Sequence, residues 1–219
     1  MTNDATTTTT TTMFDFQDGN GPVPAHKHSN GGGWVADTAT VDGSAYVGPD
    51  ARVFHSAKVY GEAQVYDKAW VFGPARVYGS ALVSGEARVS GEAQVYDEAQ
   101  VFHSARVFHS ARVFGSAQVF HSARVFGSAR VYDEAQVYGS AEVANRSKVT
   151  DSTQIVTGMA RGRSGTYPFT LVRGGGFVWG CRKGDSVRAW IESQKDKSYG
   201  PDTDAARLIA LETALNSPL

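Results

Sequence analysis

Arginine and histidine are the residues of this sequence whose recurrence could do chemistry. Arginine returns at positions separated by multiples of six, among them Arg88 and Arg106, and its guanidinium binds phosphate and carboxylate groups through paired hydrogen bonds. Histidine returns in the tripeptide Phe-His-Ser, as at His103 and His121, and imidazole can accept or donate a proton near neutral pH. What these side chains can do depends on the elements that place them.

A six-residue repeat between Val35 and Ile155 places them. Every sixth residue is Val or Ile, and the residue two places earlier is Ala from Ala39 to Ala141. One small and one β-branched inward residue in six do not fit the period of a helix, but they fit a short strand followed by a corner. Gly, Asp or His two places after Val can take the positive φ that a corner needs. We predict a solenoid with three hexads per triangular coil, in which residues about eighteen apart stack.

The repeat resembles that of the hexapeptide-repeat, left-handed parallel β-helix proteins of the acyltransferase superfamily. In that family an aliphatic residue is followed four places on by a small one, as here in Val47-Gly-Pro-Asp-Ala51 and Val71-Phe-Gly-Pro-Ala75. The resemblance implies an all-β fold, a single-stranded left-handed parallel β-helix, and this chain has hexads for about seven triangular coils. Asp18-Gly-Asn-Gly-Pro-Val-Pro-Ala-His-Lys-His28, with a later Gly-Gly-Gly-Trp-Val-Ala, is similar to a cap segment of bacterial and phage-encoded hexapeptide-repeat proteins. Many of those proteins carry only a provisional transferase label.

The composition divides the chain into four segments. We predict a disordered Thr-rich arm over residues 1–12, an N-terminal cap over 13–34, the β-helix over 35–156 and an α+β C-terminal cap domain over 157–219. The C-terminal cap is expected to begin with a basic, Gly-rich linker from Met159 to Gly165. A β-hairpin then pairs Tyr167–Arg173 with Phe177–Arg182.

Two short helices are expected after the hairpin. Asp185 or Ser186 can cap the first, which presents Val187, Trp190 and Ile191 on one face, and Asp202 or Thr203 begins the second. In the second helix the pattern directs one set of side chains toward the core and leaves Leu208 and Leu211 near its edge. The core set comprises Ala206, Ile209, Ala210 and Leu215. Cys181, the only cysteine, has no identifiable acid or base partner and is expected to be a buried small apolar residue.

The stacking rule turns outward-facing residues into columns. Two faces of the coil carry basic stripes and the third carries a ladder of glutamines. The candidate ligand-binding residues are Trp70, Arg76, Arg88, Arg106, Arg112, Arg124 and Arg130. One reading of the stripes is a solvated surface whose charges are compensated locally. The other is a site for an anionic ligand that bears phosphate or carboxylate groups.

Aromatic residues just after each Val form three further columns along the corners. They are Phe54, Phe72, Phe108 and Phe126; Tyr60, Tyr78, Tyr96, Phe114 and Tyr132; and Tyr66, Phe102, Phe120 and Tyr138. We expect them to stack rung on rung. The alternative is an adhesive surface for self-association or for planar ligands.

The resemblance also implies a possible catalytic site. Enzymes of the superfamily use a catalytic histidine, with acyl-CoA or acyl-carrier protein in a groove between two subunits of a trimer, and His103 and His121 would be the candidates here. Those enzymes generally break the helix with a looped-out insertion, whereas this repeat keeps its phase. We therefore favour a corner role and no catalytic residue, with acetyl-CoA as a cofactor only under the transferase alternative. His26 and His28 form a His-x-His pair that could ligate zinc, but no third ligand is near in sequence.

The sequence thus favours a non-catalytic binding or scaffold protein, phage- or prophage-encoded by its resemblance. Its partner would be a host or phage protein or an anionic small ligand, with nucleic acid less favoured because the net charge is −1. A homodimer or homotrimer is plausible. The alternatives are a trimeric acetyl- or acyltransferase and a phage accessory protein that interferes with host defence. With no membrane-length apolar run and no signal-peptide core after Met1, we expect the host cytoplasm, or association with the virion.

Overall fold

The computed structural model describes residues 12–144, 146–151, 155–162, 165–173, 177–179, 182–184, 186–189 and 205–217. Most of them form a parallel β-solenoid with three sheets, whose strands come in rotation along the chain. The predicted arm up to residue 11, and Cys181, Asp185, Trp190, Ile191, Asp202 and Thr203, lie outside the described residues.

Each sheet is named here after one outward residue. The Trp70 face contains β1 (Met13–Phe14), β2 (Val23–Lys27), β3 (Trp34–Ala36), β6 (Arg52–Phe54), β9 (Trp70–Phe72), β12 (Arg88–Val89), β15 (Arg106–Val107), β18 (Arg124–Val125) and β21 (Glu142–Val143). The Arg112 face contains β4 (Thr40–Val41), β7 (Lys58–Val59), β10 (Arg76–Val77), β13 (Gln94–Val95), β16 (Arg112–Val113), β19 (Arg130–Val131) and β22 (Lys148–Val149). The Gln100 face contains β5 (Tyr46–Val47), β8 (Gln64–Val65), β11 (Leu82–Val83), β14 (Gln100–Val101), β17 (Gln118–Val119) and β20 (Gln136–Val137).

The register confirms the predicted coil. Arg88 pairs with Arg106 and Val89 with Val107, which are one coil of three hexads apart. The rotation from β3 to β22 makes six complete coils and the first two strands of a seventh. The predicted all-β parallel solenoid is therefore confirmed.

The repeating Ala and Val side chains fill the inside of the coil. From Ala45 to Val137 each of them is 0% exposed, and together they form one continuous core. Alanine is needed beside Val because three walls converge on a narrow axis, where a second branched side chain would overfill the space. Burial of two apolar residues per hexad, repeated along the stack, supplies the stability that no single rung has.

The corners confirm the predicted turn chemistry. His55, His103, His109 and His121 have φ between 57° and 58°, and Asp67, Asp97 and Asp133 lie in the same left-handed region. The aromatic columns also stack as expected. Tyr78, Tyr96, Phe114 and Tyr132 follow one another with ring centroids 4.9 Å apart and ring planes within 2° of parallel. Stacking across rungs therefore accounts for these aromatic residues on the surface.

The N-terminal segment covers one end of the solenoid. Strand β2 pairs antiparallel with β3, and β1 pairs antiparallel with β2. On the neighbouring Gln100 face, Val47 donates its N–H to the Asn30 carbonyl at 3.0 Å and accepts a hydrogen bond from Gly33 N–H at 2.9 Å. These bonds occupy backbone groups of the first coil that would otherwise recruit another strand.

The C-terminal segment forms an antiparallel sheet and a helix against the last coil. The sheet contains β23 (Ile155–Gly162), β24 (Gly165–Val172), β25 (Phe177–Trp179) and β26 (Arg182–Gly184), and the helix is α1 (Ala205–Asn216). Val172 joins the solenoid core, and Glu142 donates its N–H to Thr170 Oγ1 at 2.9 Å. The segment therefore closes this end of the stack.

Two expectations about this segment were wrong in detail. The predicted linker from Met159 is strand up to Gly162, because antiparallel pairing with β24 gives its backbone partners that glycine content alone does not reveal. In α1, Leu208 is fully buried and Ala210 is exposed, the reverse of the prediction for these two residues. Leu208 and Leu215 are seven residues apart and share one face of the helix.

The first predicted helix is supported where it is described. Ser186 Oγ accepts a hydrogen bond from Ala189 N–H at 3.3 Å, which is the contact of an N-cap, and Val187 is fully buried as expected. The predicted pairing of β24 with β25 as a hairpin is confirmed. Within the described part of the chain, no helix is both long and apolar enough to cross a membrane.

Candidate functional site: a cationic cleft under the N-terminal cap

A cleft of about 600 Å³ opens where the N-terminal cap meets the Trp70 face. We call it the cap cleft. Its lining residues come from the cap and from the first coils of the solenoid: Phe14, Gln17, Lys27, Trp34, Pro49, Asp50, Arg52, Lys68, Trp70, Glu86 and Arg88. This volume lies within the range of sites that hold small ligands.

The indole of Trp70 lies between two guanidinium groups. Arg52 and Arg88 are its register partners on the strands to either side. Their Cζ atoms lie 5.3 Å and 4.6 Å from the ring centroid. A cation over the face of an indole is attracted by the negative charge of the π system, while its N–H donors remain directed around its edge. The aromatic ring therefore fixes two cations and separates their charges.

The alternation of cationic side chains with aromatic rings continues into the cap. Lys27 Nζ lies 4.6 Å from the centroid of Trp34, and Phe14 stacks on Trp34 with centroids 4.1 Å apart. Arg52 also donates from Nη1 to the Phe16 carbonyl at 2.9 Å and to Gln17 Oε1 at 3.1 Å. Arg52 is thus tied to the cap, whereas no hydrogen bond holds the Arg88 guanidinium among the described residues.

The charge in the cleft is predominantly positive. Lys27, Arg52, Lys68 and Arg88 line it, against two carboxylates, Asp50 and Glu86. Asp50, Lys68 and Glu86 stack in one corner column because they are one coil apart. Among the described residues, no carboxylate oxygen lies within 4.0 Å of the charged nitrogens of these four cations. The cleft therefore offers several cationic groups to a ligand.

The structure brings together two of the candidate ligand-binding residues, Trp70 and Arg88. Arg106 and Arg124 continue the same face below the cleft, where Arg124 Nη1 lies 3.2 Å from Glu142 Oε1. The other three candidates lie on the neighbouring Arg112 face: Arg76, Arg112 and Arg130. The stripes are therefore two separate surfaces, and only one of them leads into the cleft.

Tyrosines beside the Arg112 face are partly withdrawn from water. Burial raises the pKa of the Tyr78 phenol above its ordinary value of 10.0, and the neighbouring phenol of Tyr96 and carboxylate of Asp97 act in the same direction. Burial likewise raises the pKa of Tyr96, although the Arg112 charge opposes that rise. A deprotonated phenol is disfavoured in these stacks, so the rings serve the fold as neutral groups.

The candidate catalytic histidines lie at an exposed corner. The rings of His103 and His121 stack with centroids 5.0 Å apart and an angle of 11° between planes, and each also contacts the phenyl ring that precedes it in sequence. Both residues have φ of 57°. Their side chains thus have defined structural contacts, and catalysis by either one stays a prediction of the transferase alternative.

The His-x-His pair of the cap is divided between two environments. His26 Nδ1 lies 2.8 Å from Asp37 Oδ1 on the surface. His28 is buried, and its Nδ1 lies 3.1 Å from the Asn30 carbonyl oxygen. In the described ranges, no group of three or more His, Cys, Asp or Glu side chains is placed to hold a metal ion.

Sequence reasoning did not identify Lys27, Trp34, Arg52 and Lys68 as site residues. Arg52 and Trp34 could have been found, because stacking by coils places them directly above Trp70 in its column. Lys27 could not, since its position depends on the antiparallel pairing of a segment outside the repeat. No match was found when the chain was compared with models of known protein families, with curated proteins and with solved structures.

Proposed function

We propose that this protein is a non-catalytic binding protein whose cap cleft captures a small anionic ligand bearing phosphate or carboxylate groups. One observation carries the proposal: four cationic side chains from the cap and the solenoid line a single cleft, and three of them lie over aromatic rings. The four cations outnumber the two carboxylates of the cleft, and the repulsion between like charges opposes folding. An anionic ligand supplies the missing counter-charge.

The arrangement favours recognition by charge and hydrogen bonds over stacking. The indole of Trp70 has a guanidinium toward each neighbouring strand, and Trp34 is contacted by Lys27 and Phe14. A planar ligand would have to displace one of these groups to stack. The N–H edge of Arg88 and the ammonium groups of Lys27 and Lys68 are the donors that suit oxyanions. A phosphorylated or polycarboxylated small molecule fits this chemistry better than a nucleobase, which would need a free aromatic face for stacking.

The scaffold supports the same proposal. Rigid coils hold Arg52, Trp70 and Arg88 in fixed register, so little conformational entropy is lost when a ligand binds. We further propose that the solenoid belongs to the hexapeptide-repeat left-handed superfamily and to its phage or prophage lineage, which the cap motif resembles. Such a protein would act in the host cytoplasm or on the virion and would withhold its ligand from a host or phage partner.

Isothermal titration calorimetry of the full chain with inorganic tripolyphosphate tests the proposal. We expect saturable binding that Arg88→Ala weakens at least about tenfold, since a hydrogen bond to a charged group contributes about 1.5–3 kcal/mol. Arg112→Ala is the matched control, because it removes the same side chain from the neighbouring face. Equal weakening by both variants, or no saturable binding by the parent chain, would contradict a site in the cap cleft.

The transferase alternative has its own measurement. If the protein is an acetyltransferase, acetyl-CoA should raise the midpoint of thermal unfolding, and His103→Ala or His121→Ala should abolish that shift. We expect no saturable shift with the parent chain. A shift that both histidine variants remove, together with acetyl transfer to an amine or hydroxyl, would favour the transferase over the binding protein.

A further inference from the structure

A second pocket, of about 430 Å³, lies at the N-terminal cap and shares no lining residue with the cap cleft. We call it the cap pocket. The apolar part of its wall is Phe16, Val23, Pro24 and Phe54. Phe16 and Phe54 stack with centroids 4.9 Å apart and are almost fully buried, so this wall is rigid. The pocket has the size and the apolar lining of a site for a small organic molecule.

The polar part of the wall contains two carboxylates, Asp18 and Asp37, together with Asn20, Thr38 and His55. Asp18 Oδ1 accepts a hydrogen bond from Asn20 N–H at 3.0 Å, and Oδ2 accepts one from Asn20 Nδ2 at 2.9 Å. His55 Nε2 lies 2.8 Å from the same Oδ2 atom. These bonds, those from Asn20 above all, hold the pKa of Asp18 below its ordinary value of 3.8. Asp18 is therefore a carboxylate throughout the neutral range.

The second carboxylate, Asp37, keeps acceptor capacity. Its Oδ1 atom lies 2.8 Å from His26 Nδ1, and its side chain is 49% exposed. Among the described residues, no other side chain or backbone donor is hydrogen bonded to this carboxylate. Asp18 borders the pocket from the cap loop. Asp37 lies one coil above His55 and borders the pocket from the first corner. Oδ2 of Asp37 is the atom that remains open to a donor.

We propose that the cap pocket binds a small organic amine, with its apolar body against Phe16, Val23 and Phe54 and its ammonium group on Asp37. Asp18 adds negative charge at the same wall, and the described residues that line the pocket include no Lys or Arg. Ammonium and carboxylate groups form strong, charge-assisted hydrogen bonds, and an apolar wall excludes competing water. The charge preference is the opposite of that of the cap cleft. The two sites can therefore be distinguished by the charge of the ligand.

A matched pair of ligands tests the inference. Phenethylamine and 3-phenylpropionate have similar apolar bodies and opposite charges, and ligand-observed NMR on the full chain reports the binding of each. We expect phenethylamine to bind saturably and 3-phenylpropionate not to compete for the pocket. Displacement of phenethylamine by 3-phenylpropionate, or no saturable binding of the amine, would overturn the inference whatever happens with tripolyphosphate.

Two substitutions locate the amine. Asp37→Asn should weaken phenethylamine binding about tenfold while it keeps a hydrogen-bonding group for His26. Thr38→Trp should block the mouth of the pocket without a change in charge, since Thr38 is exposed and lines it. Asp50→Asn, which removes a carboxylate from the cap cleft instead, should leave amine binding unchanged. Unchanged affinity in both Asp37→Asn and Thr38→Trp would place the amine elsewhere.

Discussion

The guanidinium of Arg88 lies 4.6 Å from the centroid of the Trp70 ring, and the two residues are register partners on adjacent strands. Below them, Arg106 follows Arg88 with no aromatic residue between their strands. Adjacent unit charges at the strand spacing of about 4.8 Å repel by roughly 1 kcal/mol in water. The face is therefore ordered near the cap, where rings alternate with cations, and repulsive farther down. At the cap end an anion therefore meets cations that are already held in place, so that less side-chain conformational freedom is lost on binding.

Removal of the indole tests its role as a support for the cations. Trp70→Ala leaves Arg88 free to move, and each exposed cation–π contact contributes about 0.5–1 kcal/mol. We therefore expect tripolyphosphate affinity to fall about threefold, less than in Arg88→Ala, while Trp70→Phe retains most of it. Calorimetric titration of the three variants decides this. A loss in Trp70→Ala as large as that in Arg88→Ala would instead make the indole a direct ligand contact.

Charge reversal at two positions on the Trp70 face tests whether the anion binds in the cap cleft alone or along the whole face. Arg88→Glu places a carboxylate in the cap cleft, whereas Arg124→Glu makes the same change two rungs lower. At an ionic strength of about 0.15 M the Debye length is roughly 8 Å, so the lower charge is largely screened. We expect Arg88→Glu to abolish measurable binding and Arg124→Glu to weaken it less than about twofold. A similar loss in both variants would indicate a diffuse basic stripe as the binding surface.

Alanine substitutions at two corner glycines distinguish the cost of backbone strain from the cost of a steric clash. Gly85 and Gly139 have φ of 68° and 65°, so alanine at either position costs about 1–2 kcal/mol from the left-handed conformation. A Cβ on Gly85 would lie 2.8 Å from the backbone N of His103, whereas one on Gly139 meets no atom of the described residues within 4 Å.

We expect Gly85→Ala to lower the free energy of unfolding by about 1–3 kcal/mol more than Gly139→Ala does. Urea unfolding followed by circular dichroism measures both values. Equal losses would show that the rungs can separate enough to admit a methyl group, and would contradict tight stacking of the corner columns.

The partly buried phenols of Tyr78 and Tyr96 predict a loss of stability at alkaline pH. Burial raises the pKa of Tyr78 and Tyr96 above 10.0 in the folded chain, so the unfolded chain releases these protons first. The unfolded state then binds fewer protons, and the free energy of unfolding falls as pH rises above the unfolded pKa of 10.0. The contribution is fully present below that pH.

Tyr78→Phe combined with Tyr96→Phe should reduce this alkaline loss, measured as the midpoint of urea unfolding between pH 9 and 11 or so. Tyr138→Phe is the control, since the Tyr138 ring is 54% exposed, and it should keep the loss of the parent chain. If the double variant loses as much stability as the parent chain, other groups dominate the alkaline transition.

The repeat made most of the solenoid predictable because its period has a geometric meaning. Once three hexads close a coil, the pairing of Arg88 with Arg106 and the stack of Tyr96 on Phe114 follow without further information. The positive φ of the corner histidines followed in the same way, because His replaces Gly or Asp in the same turn position.

The cap contacts could not be predicted, because they come from segments without a period. Lys27 reaches Trp34 only through the antiparallel pairing of β2 with β3, and Asp18 reaches His55 through a loop of the cap. The strand from Met159 to Gly162 was missed for a related reason. Its stability depends on a partner strand rather than on its own composition.

NMR titration of the full chain with tripolyphosphate, observed at the indole N–H resonances of its four tryptophans, locates the anion most directly. An anion in the cap cleft should move the resonances of Trp34 and Trp70 together along one saturable curve. Resonances of Trp34 and Trp70 that stay fixed at concentrations where calorimetry reports binding would contradict the cap cleft as the site of capture.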